Sequence, residues 1–129
     1  MIVQFRPETA AAEDWRAVAS PIAELLLTTD HVKTDSTPDH VLLTLATISN
    51  HASNAMRLNQ QMLATGYNPT LDDSIAALGS RILAVVPDLS GYVHADFVRF
   101  MAASCDNLLR ACSRRRAACG VPQRMERAA

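Results

Sequence analysis

Residues 41–62 read VLLTLATISNHASNAMRLNQQM, and this stretch decides the fold. Apolar or small side chains recur along it at alternating intervals of four and three residues: Val41, Leu45, Ile48, Ala52, Ala55, Asn59 and Met62. This spacing places them on one face of an α-helix, because a helix turns once every 3.6 residues. We therefore predict a long helix that is capped by Thr37, has Pro38 as its first residue and ends at Gly66.

A first helical segment is predicted before the long helix, starting near Thr9. Its apolar positions are Trp15, Val18, Ile22, Leu25 and Leu26. The pair Ser20 and Pro21 predicts a break or a kink inside this segment, because proline lacks the amide hydrogen that an interior helix position donates. The polar residues 28–38 are the predicted loop between the first segment and the long helix.

Two more helices are predicted after the long one. Residues 70–73, TLDD, match a capping box at the start of the third helix, whose apolar positions are Leu71, Ile75, Leu78, Ile82 and Val85. Residues 88–91 form a predicted turn, and the fourth helix covers about residues 92–118. Short connections favour antiparallel neighbours. The fold class we predict is all-α, an antiparallel up-down helical bundle of four main helices, or five if Pro21 divides the first.

The composition indicates one folded domain. A chain of 129 residues with 49% hydrophobic side chains is long enough to bury a core. We expect a single helical-bundle domain over residues 1–129, with residues 1–8 as an N-terminal arm and residues 120–129 as a flexible basic tail. No stretch approaches the roughly 20 apolar residues of a membrane span, and no secretory signal is visible, so we expect a cytoplasmic protein. The Ala-rich chain has eleven Arg and one Lys, which indicates a GC-rich bacterial genome.

Motifs that carry catalysis or bind cofactors are not found in the sequence. It has no glycine-rich phosphate loop, no nucleophile elbow and no zinc-binding pattern. Cys105, Cys112 and Cys119 are seven residues apart, about 10 Å along a helix, which is too far for a disulfide. We expect them to line a buried stripe. No enzyme activity, cofactor or metal site is predicted.

His51 is the one candidate for chemistry, because it lies beside the apolar face of the long helix and should be partly exposed. Residues 51–54, HASN, with residues 70–73 and 81–84 resemble the dimerisation and phosphotransfer region of bacterial sensor histidine kinases. That resemblance implies a phospho-acceptor role for His51 in a relay. Ala52 and Ala55 stand where one kinase subgroup has Arg and Asn, and no ATP-binding domain follows.

Half of the basic residues lie near the C-terminus: Arg110, Arg114, Arg115, Arg116, Arg124 and Arg127. Positive side chains interact favourably with the C-terminal end of a helix dipole, which is one explanation of the cluster. The cluster is also a candidate docking site for an acidic protein or for nucleic acid. Apolar side chains left over on the long helix (Leu42, Met56 and Leu63) suggest a further contact surface, and we expect a homodimer.

These observations predict a non-enzymatic regulatory or adaptor protein that binds a protein partner. Its predicted partner-binding residues are Arg110, Arg114, Arg115, Arg116, Leu42, Met56 and Leu63. Two alternatives stay open: a histidine phosphotransfer relay through His51, and a nucleic-acid-associated protein that uses the arginine cluster.

Overall fold

A computed structural model describes the backbone of residues 7–120 and the side chains of residues 15–120. It contains four α-helices, α1 (Pro7–His31), α2 (Asp39–Thr65), α3 (Pro69–Val85) and α4 (Ala95–Ala118), and a short 3-10 helix at Val86–Leu89. No strand occurs in residues 7–120. Helix α1 contacts α2 and α4, and α3 also contacts both. The predicted all-α bundle of four main helices is confirmed.

The long helix α2 matches its predicted face. All seven positions of the four-and-three pattern are buried, and Gly66 ends the helix at a positive φ of 99°. The predicted start is wrong, because the helix begins at Asp39 and Pro38 is the preceding, extended residue. The Thr37 hydroxyl does not cap the helix. It accepts a hydrogen bond from the Thr34 amide at 2.9 Å and so closes a turn within the loop.

Helix α1 is continuous through Pro21, so of the predicted break or kink the break is wrong and the kink stays a prediction. An interior proline costs a helix about 3 kcal/mol. This helix offsets that cost by packing against both α2 and α4, with Val18, Ile22 and Leu25 fully buried. The predicted arm is also shorter than expected, because Pro7 and Glu8 belong to α1. Residues 1–6 of the arm and 121–129 of the tail lie outside the described residues.

The loop after α1 begins later than predicted. The hydroxyls of Thr28 and Thr29 donate to the carbonyls of Glu24 and Leu26, at 2.7 and 2.8 Å, and both threonines are buried in the last turns of α1. These hydroxyl groups form their hydrogen bonds with backbone carbonyls of the same helix, so the helix continues through both threonines. The connection therefore covers only residues 32–38.

Helices α3 and α4 also begin at other residues than predicted. The Asn68 side chain caps α3 by accepting from the amides of Thr70 and Leu71, and so the capping box at residues 70–73 is wrong. Helix α4 starts at Ala95, three residues after the predicted start. His94 caps it, with Nδ1 accepting from the Asp96 amide at 3.1 Å.

Long-range hydrogen bonds show which helix ends lie together. The side-chain Nδ2 of Asn59, near the end of α2, donates to the carbonyl of Trp15 near the start of α1 at 3.1 Å. Arg115, near the end of α4, contacts Asp72 near the start of α3. At the other end of the molecule, the rings of His40 and Tyr92 are 4.7 Å apart, which brings residues 32–38 and 90–94 together. None of the described helices is long and apolar enough to cross a membrane.

Candidate functional site

Three of the four histidines gather with aromatic side chains at the end of the bundle formed by residues 32–38 and 90–94. The ring of His31 lies 5.6 Å from that of Phe97, and His94 lies 6.4 Å from Phe97. Phe100 follows Phe97 by three residues on α4 and so neighbours it on that helix. We call the following residues the histidine–aromatic surface: Leu27, His31, His40, Tyr92, His94, Phe97 and Phe100.

Much of this surface is apolar and open to solvent. Leu27 is 72% exposed, Tyr92 57% and Phe100 43%. Exposed apolar side chains that cluster at one place mark interaction sites, whereas scattered ones need no explanation. Three of the six large exposed hydrophobic side chains in the described part of the chain belong to this one surface.

Two hollows flank the first turns of α4. A groove of about 700 Å³ lies against residues 90–95 and includes Tyr92, His94 and Val98 among its lining residues. A second hollow of about 400 Å³ is lined by Leu27, Thr28, His31 and Phe97. Because His94 lines the first hollow and its ring contacts Phe97 in the second, the two hollows are neighbours.

Aspartates surround the same end of the molecule. Residues 27–40 and 86–100 carry five aspartates and two cations, which gives a net charge of −3 with the histidines neutral. Both cations are already paired with an aspartate, Lys33 with Asp30 and Arg99 with Asp96. The other three aspartates, Asp35, Asp39 and Asp88, are exposed and have no cation beside them among the described residues. The apolar surface therefore has an acidic rim.

The histidines of this surface differ in their polar surroundings, and Nδ1 of His94 lies 3.6 Å from Oδ2 of Asp96. Within the described residues, no carboxylate lies within salt-bridge distance of His31 or His40, and Nδ1 of His94 is occupied by the helix cap. Nor do these residues contain a group of three His, Cys, Asp or Glu side chains that would hold a metal ion. What the arrangement offers is a contact surface with an apolar centre and charged edges.

The predicted arginine cluster is divided by the fold, and Arg115 is not on the surface. Its side chain is only 2% exposed, and Nη2 donates to Oδ1 of Asp72 at 2.5 Å while Nη1 donates to Oδ1 of Asn59 at 2.7 Å. The Tyr67 hydroxyl donates to the other Asp72 oxygen at 3.1 Å. Arg115 therefore holds α2, α3 and α4 together and is unavailable to a partner, which corrects its predicted role.

The remaining arginines of the cluster differ in their contacts. Arg116 is largely buried and donates to Asp73 at 2.6 Å. Arg110 is exposed and donates to Asn107, one turn earlier on α4. Arg114 is exposed. The described part of the cluster thus presents Arg110 and Arg114 to solvent, and Arg124 lies outside the described residues, as does Arg127.

The predicted positions on α2 lie on different parts of that helix. Leu42 is near its start and Leu63 near its end, and both are exposed, whereas Met56 packs partly against the core. His51 is half-buried, in agreement with its predicted place beside the apolar face. The roles of these residues in binding or phosphotransfer stay predictions.

The thiols near the centre of α4 belong to the core. Cys105 and Cys112 are buried, and burial raises the pKa of each thiol to about 12. For Cys112, the carboxylate of Asp72 raises the pKa further. Cys119 is half-buried. The expected buried stripe therefore holds for Cys105 and Cys112.

Sequence reasoning missed the histidine–aromatic surface, although one signal was available. In an up-down bundle the first and third connections lie at the same end, and His31, His40, Tyr92 and His94 all lie in or beside those connections. Their residue types gave no motif, because ring contacts between loops have no fixed sequence spacing.

Comparison with known proteins gave no match: no family model, no curated protein and no solved structure is similar to this chain.

Proposed function

We propose that this protein is a small non-enzymatic adaptor or regulator of the cytoplasm, and that it binds a protein partner through the histidine–aromatic surface. The observation that carries the proposal is that exposed Leu27 and Tyr92 line two neighbouring hollows, with exposed Phe100 one turn after Phe97 of the second hollow. Aromatic side chains in such a place are the residues that contribute most to binding at protein interfaces.

A packed core between the helices supports the proposal. The side chains of this surface stand on helix ends and on a short loop, so little conformational freedom is lost when a partner binds. The histidines pack against aromatic rings, and His31 and His40 have no carboxylate within salt-bridge distance among the described residues, which favours binding over catalysis.

The proposal is tested by capture of partners with purified, immobilised protein, followed by affinity measurement with each partner identified. The double variant Leu27→Ala/Phe100→Ala removes apolar area from the surface without touching the core. We expect it to weaken binding at least about tenfold, which corresponds to 1.4 kcal/mol.

Leu63→Ala is the matched control. Leu63 is 47% exposed, close to the value for Phe100, but lies near the other end of α2. The Leu63→Ala variant should bind the partner with the same affinity as the wild type. The proposal would be overturned if the partner still binds Leu27→Ala/Phe100→Ala but no longer binds Leu63→Ala, or no longer binds Arg110→Ala/Arg114→Ala. That result would favour the binding surface predicted from the sequence.

The oligomeric state is a separate prediction. The sequence led us to expect a homodimer, which light scattering tests directly by a mass of twice 14.0 kDa at micromolar concentration.

A further inference from the structure

We infer that the partner segment bound by the histidine–aromatic surface is a basic amphipathic α-helix of another protein, with apolar residues on one face and Arg or Lys along its edges. This inference rests on the proposed function and adds the chemical class of the partner.

The apolar part of the argument comes from the hollows. Leu27 and Phe97 line one of them, and Tyr92 and Val98 line the other, on either side of the first turns of α4. Two neighbouring apolar hollows suit side chains that project from one helix face at intervals of three or four residues. The main alternative for a peptide is to extend a sheet, and residues 7–120 offer no strand for it to pair with.

The charge of the partner follows from the rim. Asp35, Asp39 and Asp88 are exposed, and the cations within residues 27–40 and 86–100, Lys33 and Arg99, are already paired with other aspartates. An acidic partner would meet uncompensated like charge at this end, whereas Arg or Lys would be attracted to it.

Two aromatic rings of the surface favour the same partner. Tyr92 and Phe100 are exposed, and an aromatic face attracts a cation, arginine above all. Arginine side chains at the edge of a bound helix would thus meet aspartates and ring faces together.

The test uses two synthetic helical peptides of about 18 residues, or five turns, that share one leucine face. One peptide has Arg and the other Glu on its polar face. Binding to the full chain is measured by fluorescence anisotropy. We expect the Arg peptide to bind, the Glu peptide to bind at least about tenfold more weakly, and affinity for the Arg peptide to fall as salt rises from about 50 to about 200 mM.

Variants of the protein identify the residues responsible. Asp39→Asn/Asp88→Asn should lower the affinity for the Arg peptide at least about threefold. Asp106→Asn is the control, because Asp106 is also an exposed aspartate, in the middle of α4, and it should leave binding unchanged. Equal binding of both peptides, or no effect of Asp39→Asn/Asp88→Asn, would overturn the inference.

The experiment separates this inference from the proposed function. If both peptides bind the wild type equally well and Leu27→Ala/Phe100→Ala weakens both, the surface binds helices without selecting charge, and only the inference fails. If neither peptide depends on Leu27 and Phe100, the surface itself is contradicted. If sedimentation shows a dimer that Leu27→Ala/Phe100→Ala dissociates, a second copy covers the surface, and the inference is wrong.

Discussion

Among single residues, the pair Asp72 and Arg115 is the most sensitive point of the structure. Both side chains are almost completely buried, and Arg115 also bonds Asn59. Replacing Asp72 by Ala leaves a buried guanidinium without its counter-charge, which typically costs about 3–5 kcal/mol. We expect Asp72→Ala to lower the free energy of unfolding by this amount in urea denaturation.

Asp73→Ala is the control for that prediction, because it removes the partly exposed pair of Asp73 and Arg116, also between α3 and α4. Pairs exposed to solvent contribute at most about 1 kcal/mol. If Asp72→Ala and Asp73→Ala lower the free energy of unfolding equally, burial is not the reason that the pair of Asp72 and Arg115 stabilises the protein.

The buried thiols make stability depend on pH. An unfolded cysteine has a pKa near 8.5, whereas burial raises that of Cys105 and Cys112 to about 12. A pKa that is higher in the folded state stabilises the protein fully below about pH 8.5, and this contribution is lost as the pH rises toward 12. We expect the free energy of unfolding to fall by about 1 kcal/mol per thiol between about pH 7.5 and 9.5.

Urea titrations of Cys105→Ala/Cys112→Ala at the same two pH values provide the comparison. The decline with pH should be smaller in this variant than in the wild type. An undiminished decline would assign the pH dependence to other groups.

The role of Asp72 shows what sequence reasoning misses at this scale. The local sequence pattern predicted that Asp72 belongs to a capping box. Asn68 caps the helix instead, and Asp72 pairs with Arg115, which is 43 residues away in the sequence. Arg115 was expected at the surface for the same reason. A propensity describes neighbours in sequence, whereas a buried pair is decided by which helices pack together.

At the scale of the helices, α3 and α4 approach closely at Gly79. A Cβ atom placed there would lie 3.1 Å from Cδ2 of Leu108, which is fully buried. A valine side chain is larger still and would have to push α4 away. We expect Gly79→Val to destabilise the protein by at least about 2 kcal/mol, through overpacking, in thermal or urea denaturation.

Ala84→Val, at an exposed position of α3, tests whether a β-branched residue in this helix explains the loss. Its cost should be a few tenths of a kcal/mol. If both variants lose the same stability, the close approach at Gly79 is not the cause.

Hydrophobic spacing predicted helix faces better than helix ends. The seven positions of α2 are all buried, because their periodicity extends over six turns and is read from many residues together. Each end depends instead on one or two residues. Thr37 closes a turn with Thr34, and Pro21 is tolerated because tertiary packing offsets its cost.

For the whole molecule, the helix contacts form a closed ring, from α1 to α2, α3, α4 and back to α1, and this predicts cooperative unfolding. Each helix packs against two others, and Trp15, the only tryptophan, lies at the opposite end from the histidine–aromatic surface. We expect Trp15 fluorescence and far-ultraviolet circular dichroism to give the same urea midpoint. Midpoints that differ beyond experimental error would mean that the two ends of the bundle unfold separately.

The candidate surface emerges only at this scale. Its residues come from α1, α2, α4 and the loop before α4, and the connections of the bundle bring them together. The number and order of the helices were predictable, whereas the contacts of His40 with Tyr92 and of His31 with Phe97 depend on loop conformations that have no sequence pattern.

The buried charges have a last consequence, for the uniqueness of the packing. Apolar stripes of similar side chains interlock almost as well after one helix slides by a turn along another. If α4 slid by one turn toward either end, Ala111 or Cys119 would replace Arg115 opposite Asp72, and both charges would be left unpaired. Arg115 thereby sets the register of α4, and with it the positions of His94, Phe97 and Phe100 at the far end of the same helix.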